Sequence, residues 1–397
     1  MYDTAPSLVW PRLLDLPPAE QLVVYLDLNH WIGLPQALTG HRQGAKHNVV
    51  LEACRAARSA GNAIFVLSGT IYAEVQKIKD PEQRRRLAEV IEELTDFNTL
   101  VSRVVVMELE LSAVLDPIAK LPNPLPKVPL VGRGIRHAFG VQSGFSIMGP
   151  SGDETESFRQ RYGSAAFDMF MKDSILRMER SILRGPVNSE DGAELRTLGY
   201  KPEGPTAVTD GRVQQELDFK QRLDSDPKSR RGRLDDFVSA RELIIEFQNI
   251  LPRALEERGL VLPDLVKNPE SGRRLVRSMP STDVAIVLKA AWHRNGQRTW
   301  AVNDIYDIDA LALATPYCDV VVTEKACHHI LSIAKMGERM NTALLQHLTD
   351  LPAVLQKRAS KRLSISDSAS TCGNANKSVG NMVEAKTSTK IEGGHNR

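Results

Sequence analysis

The segment NDIYDIDALALATPYCDVVVTEK, Asn303 to Lys325, joins a helical pattern directly to a short apolar run. Apolar residues recur at helical spacing in its first half. The run 320–322 that follows consists of consecutive valines between polar residues. Such a continuous β-branched run is typical of a parallel strand that is covered on both faces. The segment therefore predicts an α/β fold, with a helix starting near Asn303 and a buried strand beginning at Asp319.

The same alternation occurs near the start of the chain, where LVVYLDLN (Leu22 to Asn29) has the composition of a buried strand ending in polar residues. The segments that follow are predicted to be a helix at 46–60, a strand at 63–67, a helix from Thr70, a helix at 81–97 and a strand at 103–109, RVVVMEL. Strands that alternate with helices predict a mostly parallel sheet.

The middle of the chain has a different character, with a Pro-rich stretch followed by long helical patterns at 156–183, 213–224 and 234–258. The predicted organisation has five parts. They are an N-terminal arm (1–20), the first part of an α/β domain (21–111), a mainly helical insertion (112–277), the second part of the α/β domain (278–357) and a disordered tail (358–397).

Charge and cysteine usage exclude some classes of protein. Lys and Arg number 51 against 49 Asp and Glu, a formal charge of +2, so general attraction to nucleic acid is not expected. The four cysteines show no CxxC spacing. With neither a signal-peptide pattern nor a long apolar run, we expect no membrane association and a cytoplasmic location.

Polar residues at the carboxyl ends of the predicted strands are the first candidates for a site, because ligands of open parallel sheets bind beyond those ends. Asp27 and Asn29 end the first strand, and Glu74 lies one turn inside the helix after the second strand. Two alternatives stay open: Asp27 as a cap of the next helix, and Glu74 as a solvated helix residue.

Helical phase sorts the three aspartates of the later segment. Asp304 and Asp307 are three residues apart and project from one face of the helix. Asp309 is turned by about 200° from Asp307 and is expected to point away. We therefore predict Asp304 and Asp307 as the working pair.

Asp319 enters the next strand, and Glu324 leaves it just after Thr323. Carboxylates gathered at strand ends repel each other unless a cation lies between them, and an all-oxygen set favours Mg²⁺ or Mn²⁺. Such ions can activate water and stabilise the charge that develops on a phosphodiester. The alternative is a structural network of carboxylates or ordinary helix caps.

Three motifs together resemble PIN-like ribonuclease domains: YLDLN at the first strand, SGTIYAE at the following helix, and the segment from Asn303 to Lys325. The last motif is similar to that of a group of bacterial PIN-like proteins. Those proteins show Asn-Asp, a second Asp one turn on, Pro-Tyr-Cys-Asp, a strand and Thr-Asp. The resemblance covers roughly residues 21–110 and 278–345 and leaves the helical middle unassigned.

The resemblance implies a three-layer α/β/α fold with a central, mostly parallel sheet, interrupted by the mainly helical insertion. It also implies metal-binding and catalytic roles for Asp27, Glu74, Asp307 and Asp319, with Asp304 in support. Glu324 stands where the family more often has Asp, and Thr323 would position it. Asn29 and Asn303 complete the predicted supporting residues.

The sequence therefore predicts a metal-dependent endoribonuclease with RNA as its partner. Two alternatives stay open: a non-catalytic module that binds nucleic acid or protein on the same fold, and a nuclease that acts on DNA. A free sheet edge would allow a homodimer. The sequence gives no indication for or against a protein inhibitor.

Overall fold

The computed structural model describes residues 7–37, 44–122, 127–141, 145–197 and 204–357. The predicted disordered tail, 358–397, and the first six residues of the predicted arm lie outside these ranges.

The strands of the described ranges are short. They are β1 (Leu14–Asp15), β2 (Leu22–Leu26), β3 (Ala63–Val66), β4 (Asn98–Leu100), β5 (Val128–Pro129), β6 (Val131–Arg133), β7 (Met148–Gly149), β8 (Gly152–Asp153), β9 (Val320–Val322) and β10 (Ala343–Leu345).

Helices make up most of the remaining structure. Those outside the predicted insertion are α1 (Leu28–Gln36), α2 (Gly44–Ser59), α3 (Gly69–Val75), α4 (Pro81–Thr95), α5 (Arg103–Ala119), which runs into it, α16 (Pro280–Arg294), α17 (Val302–Tyr317), α18 (Lys325–Ile333), α19 (Met336–Met340) and a 3₁₀ turn (Leu348–Asp350). Those within it are α6 (Gly134–Ala138), α7 (Thr155–Tyr162), α8 (Ser164–Arg184), α9 (Ser189–Thr197), α10 (Gly204–Ser225), α11 (Pro227–Gly232), α12 (Leu234–Arg241), a π-helix (Glu242–Glu246), α13 (Leu251–Glu256), α14 (Leu262–Leu265) and α15 (Pro269–Arg277).

A parallel sheet in the order β10-β9-β2-β3 brings together strands from segments 22–66 and 320–345. Leu26 of β2 pairs with Val322 of β9. The next backbone NH, that of Asp27, donates to the Val322 carbonyl at 3.0 Å. Because the two strands run parallel and in register, the residues that follow them emerge at the same edge. We call this the carboxyl edge of the sheet.

The predicted strand at 103–109 is wrong, because this segment begins helix α5. Ser102 caps the helix, its Oγ accepting from the Val105 NH at 3.4 Å. Val106, Glu110 and Leu111 are then buried at helical spacing. The β-branched residues favoured a strand, but packing against neighbouring elements outweighs that propensity.

The strand that lies beside the end of β3 is β4, not the predicted strand at 103–109. Leu67 bridges to Thr99 in parallel, and β4 pairs antiparallel with β6. The predicted insertion therefore contributes a strand next to the sheet. Its predicted helix at 156–183 is interrupted at Gly163, whose φ of 82° ends one helix before the next begins.

Two hydrophobic clusters hold the described residues together. One contains buried residues from both chain ends, such as Val24, Phe65, Leu311 and Val321. The other joins α5 and α16 to the insertion through residues such as Phe247. Within the described ranges, no helix combines the length and apolar character needed to cross a bilayer.

Candidate active site

A cavity of about 470 Å³ opens at the carboxyl edge of the sheet. Segments far apart in sequence form its walls: the ends of β2 and β9, helix α3 and the first turns of α17. We call it the carboxylate pocket. The carboxylates that line it are Asp27, Glu74, Asp304, Asp307 and Glu324.

Asp27 lies at the base of the pocket and is held by the neighbouring strand end. Thr323, which is fully buried, donates from Oγ1 to Asp27 Oδ2, and the Glu324 backbone NH donates to the same oxygen at 3.3 Å. Asp27 also stands at the N-terminus of α1, but its side chain makes no capping hydrogen bond there. The capping alternative therefore does not describe its side chain.

Glu74 and Asp307 face the same space from α3 and α17, two helices that pack together. Burial raises the pKa of Glu74 to about 7, and the charge of Asp27 adds to this. Burial also raises the pKa of Asp307 to about 8, reinforced by the charges of Asp27, Glu74 and Glu324. The solvated-helix alternative for Glu74 is therefore not what the structure has.

Asp27 shares this electrostatic environment. Burial raises its pKa to about 7, against the hydrogen bonds from Thr323 and the Glu324 backbone, which favour the ionised form. The three carboxyl groups therefore influence each other through a pocket that water screens poorly.

Asp304 and Asn303 lie at the mouth of the pocket and are already engaged. Asp304 forms an ion pair with Arg298 and accepts from the Ala301 NH at 2.8 Å, which holds the first turn of α17. Asn303 Oδ1 accepts from Lys77 Nζ at 3.0 Å. Both predicted residues are therefore at the site, and each carboxylate oxygen of Asp304 already has a partner.

Glu324 and Asn29 meet across the carboxyl edge, where Asn29 Nδ2 donates to Glu324 Oε1. Both line the pocket. The longer side chain of Glu324 thus reaches the same cavity as Asp27, and the amide of Asn29 orients it.

The structure does not bring Asp319 to this group. Asp319 precedes β9, and its Oδ2 accepts from the Val23 NH at 2.8 Å near the start of β2. Four residue-to-residue steps of extended chain separate it from Thr323, about 13 Å at 3.3 Å per step. Asp319 therefore lies at the amino edge of the sheet and outside the carboxylate pocket, and this placement does not support its predicted catalytic and metal-binding role.

Asp309 points away from the pocket, as helical phase predicted. Its Oδ1 accepts from Arg103 at 2.7 Å, and it also pairs with Arg212 of α10. The pKa of Asp309 is lowered: burial opposes this, but the charges of Arg212 and Arg103 outweigh it. This contact fixes the back of α17 to the insertion.

The fit of a metal ion rests on the chemistry of the donors. Among the described residues, no three His, Cys, Asp or Glu side chains already stand together as ligands of one ion. Asp27, Glu74, Asp307 and Glu324 nevertheless share one cavity and offer only oxygen donors. Hard divalent cations prefer such donors, and a cation would offset both the burial and the mutual repulsion of these negative charges.

Sequence reasoning missed the cationic and aromatic lining of the pocket: Lys77, Trp292, Arg298 and Tyr306. For Lys77 a signal was present, since it follows Glu74 by three residues and therefore shares its side of the helix end. Arg298 belongs to an irregular connection, and no periodicity marks its position.

Comparison of the chain with protein-family models, curated proteins and solved structures finds no match.

Proposed function

We propose that the protein is a metal-dependent endoribonuclease, and that its sheet and helices form the three-layer architecture of PIN-like domains. One observation carries the proposal: Asp27, Glu74, Asp307 and Glu324 come from separate segments and line one pocket at the carboxyl edge of a parallel sheet. Asp27 is buried, Glu74 and Asp307 are half-buried and Glu324 is exposed, and a fold needs no such concentration of negative charge for its stability. Perturbed carboxyl groups in a cavity are typical of functional sites.

Asp27 and Asp307 would hold Mg²⁺ or Mn²⁺, with Glu74 and Glu324 completing the oxygen donors after side-chain rotation. When bound, the cation supplies Lewis-acid activation of water and stabilises negative charge on the phosphodiester. Asp304 supports the group from the mouth, where Arg298 holds it.

The protein's own residues prepare the pocket for this chemistry. Thr323 and the Glu324 backbone fix one oxygen of Asp27, and the described residues give no hydrogen bond to its other oxygen. Leu28, Ile78 and Ala310 line the same cavity and reduce screening by water, so electrostatic interactions inside it are stronger. In the absence of a cation, Asp307 retains a proton at neutral pH because its pKa is raised to about 8.

The choice of RNA as substrate is supported by the resemblance of YLDLN, SGTIYAE and the segment from Asn303 to PIN-like ribonuclease domains. Carboxylate-bound cations act on DNA phosphodiesters by related chemistry, so both polymers belong in the test.

The test compares cleavage of a labelled single-stranded RNA and of the DNA of the same sequence, with Mn²⁺ or with EDTA. Wild type is measured beside Asp27→Asn, Asp307→Asn and the matched control Asp319→Asn, which changes a carboxylate at the opposite edge. We expect Mn²⁺-dependent RNA cleavage that is lost in the first two variants and kept in the control. Binding without cleavage would favour the non-catalytic module, and preferential DNA cleavage would favour the DNA nuclease.

A further inference from the structure

Two cationic side chains line the carboxylate pocket in the described part of the chain, and their partners differ. Arg298 has a charged partner: it forms an ion pair with Asp304, and its guanidinium carbon lies 4.3 Å from the centre of the Trp292 ring. Lys77 is held by neutral groups instead, with its Nζ 3.0 Å from Asn303 Oδ1 and 4.3 Å from the centre of the Tyr306 ring.

The position of Lys77 follows from the end of α3. It comes three residues after Glu74, so both side chains leave the same side of the helix terminus toward the pocket. Lys77 itself is exposed at the mouth, whereas Tyr306 beneath its ammonium is 5% exposed. The ring therefore supports a charge that remains open to solvent.

Burial and nearby carboxylates act in opposite directions on the Lys77 ammonium. Burial lowers the pKa of Lys77, and the negative charges of Glu74 and Asp210 oppose this change. Asp210 belongs to α10, so the insertion also acts on this side of the mouth.

We infer that Lys77 binds a phosphate oxygen of the RNA strand that enters the carboxylate pocket. This inference rests on the proposed function. A phosphate approaching the five carboxylates of the pocket is repelled unless positive charge meets it. Asp27 and Asp307 would hold a divalent cation that supplies such charge inside the pocket, and the Lys77 ammonium supplies it at the mouth.

Replacing Asn303 by a phosphate oxygen as the hydrogen-bond acceptor of Lys77 should be energetically favourable. The amide oxygen of Asn303 is a neutral acceptor, whereas a phosphate oxygen is anionic and makes the stronger, charge-assisted hydrogen bond. The Tyr306 ring can stay beneath the ammonium while the solvent-facing N–H groups of Lys77 turn toward the RNA strand. This is possible because the Lys ammonium acts as a rotatable point charge.

The test measures binding of a fluorescein-labelled single-stranded RNA by anisotropy over a salt series, with Ca²⁺ in place of Mn²⁺ to slow cleavage. The variants are Lys77→Met and Lys77→Arg, with Lys79→Met as the matched control, because Lys79 is exposed nearby but does not line the pocket. For Lys77→Met we expect affinity to fall about 5- to 10-fold and the slope of log K against log salt to lessen by about 0.7, one phosphate contact on a single strand. Lys77→Arg and Lys79→Met should stay close to wild type.

Failure of this inference can be told from failure of the proposed function. If wild type cleaves RNA with Mn²⁺ but Lys77→Met keeps wild-type affinity and salt slope, the inference alone is overturned. If wild type neither cleaves nor binds RNA, the proposed function falls and this inference with it. Calorimetric titration of Lys77→Met with Mn²⁺ should show binding no weaker than wild type, and weaker binding would mean that Lys77 acts on the carboxylates instead.

Discussion

Asp307 and Asp309 lie two residues apart on α17 and meet opposite environments. Asp307 lines the carboxylate pocket, where burial raises its pKa to about 8 and the charges of the neighbouring carboxylates add to this. Asp309 contacts Arg103 and Arg212 on the far side, where their charges lower its pKa. The same helix therefore presents Asp307, unpaired among the described residues, to the pocket and the arginine-paired charge of Asp309 to α5 and α10.

Replacing Asp309 with Asn should destabilise the protein without touching the pocket directly. The change leaves two largely buried guanidinium groups with less compensation, which costs about 3 kcal/mol. Urea denaturation measures the loss. Glu82→Gln is the control, since its pairs with Arg85 and Arg86 are exposed to water, which screens them, and they contribute little to stability. Equal effects of the two variants would contradict the buried role of Asp309.

Replacing Asp307 with Asn should stabilise the cation-free protein at pH 8. The folded-state pKa of Asp307 is raised, so its contribution is full below pH about 4 and is lost as pH rises toward 8. With allowance for partial exposure, the variant should gain about 1–2 kcal/mol at pH 8 in EDTA and little at pH 4. Adding Mn²⁺ should stabilise wild type more than the variant. A variant that unfolds more easily than wild type at pH 8 would be inconsistent with a repulsive cluster.

Replacing Asp319 with Ala should reduce stability but not function. The side chain accepts from the Val23 NH at 2.8 Å, so its loss leaves a strand NH unsatisfied and costs about 1–2 kcal/mol. Well below the unfolding transition, the cleavage rate per folded molecule and the Mn²⁺ affinity should equal those of wild type. If this variant bound Mn²⁺ more weakly than wild type, the result would support the predicted metal-binding role of Asp319.

Glu110 should give the scaffold its own dependence on pH. Burial raises its pKa to about 7, although Ser281 and Tyr317 donate hydrogen bonds that favour its ionised form. Because the folded state holds the proton more tightly, stability should fall as pH rises from about 4.5 to 7. Glu110→Gln keeps the shape of the group and should flatten this part of the curve in thermal denaturation. An unchanged slope would show that Glu110 does not titrate in this range.

The sequence sufficed for features that depend on local periodicity. The buried runs at 22–26 and 320–322 placed Asp27 and Glu324 at one edge of the sheet, and helical phase separated Asp307 from Asp309. The sequence was insufficient where long-range packing determines the secondary structure of a segment. Segment 103–109 has strand composition but is a helix.

Strand direction explains why Asp319, predicted as a site residue, lies outside the pocket. Asp319 and Glu324 flank the same short strand, and only the one at its carboxyl end reaches the pocket. The contact of Arg212 with Asp309 joins α10 to α17 across a sequence distance that no local pattern encodes.

The most direct test of the carboxylate pocket as a metal centre is an anomalous difference map from crystals of the protein soaked in Mn²⁺. We predict a peak in the pocket within about 2.0–2.6 Å of carboxylate oxygens of Asp27 and Asp307, the range for hard cations with oxygen ligands. The peak should disappear in crystals of Asp307→Asn. Its absence from this pocket in wild type, at a Mn²⁺ concentration that supports RNA cleavage, would contradict the assignment.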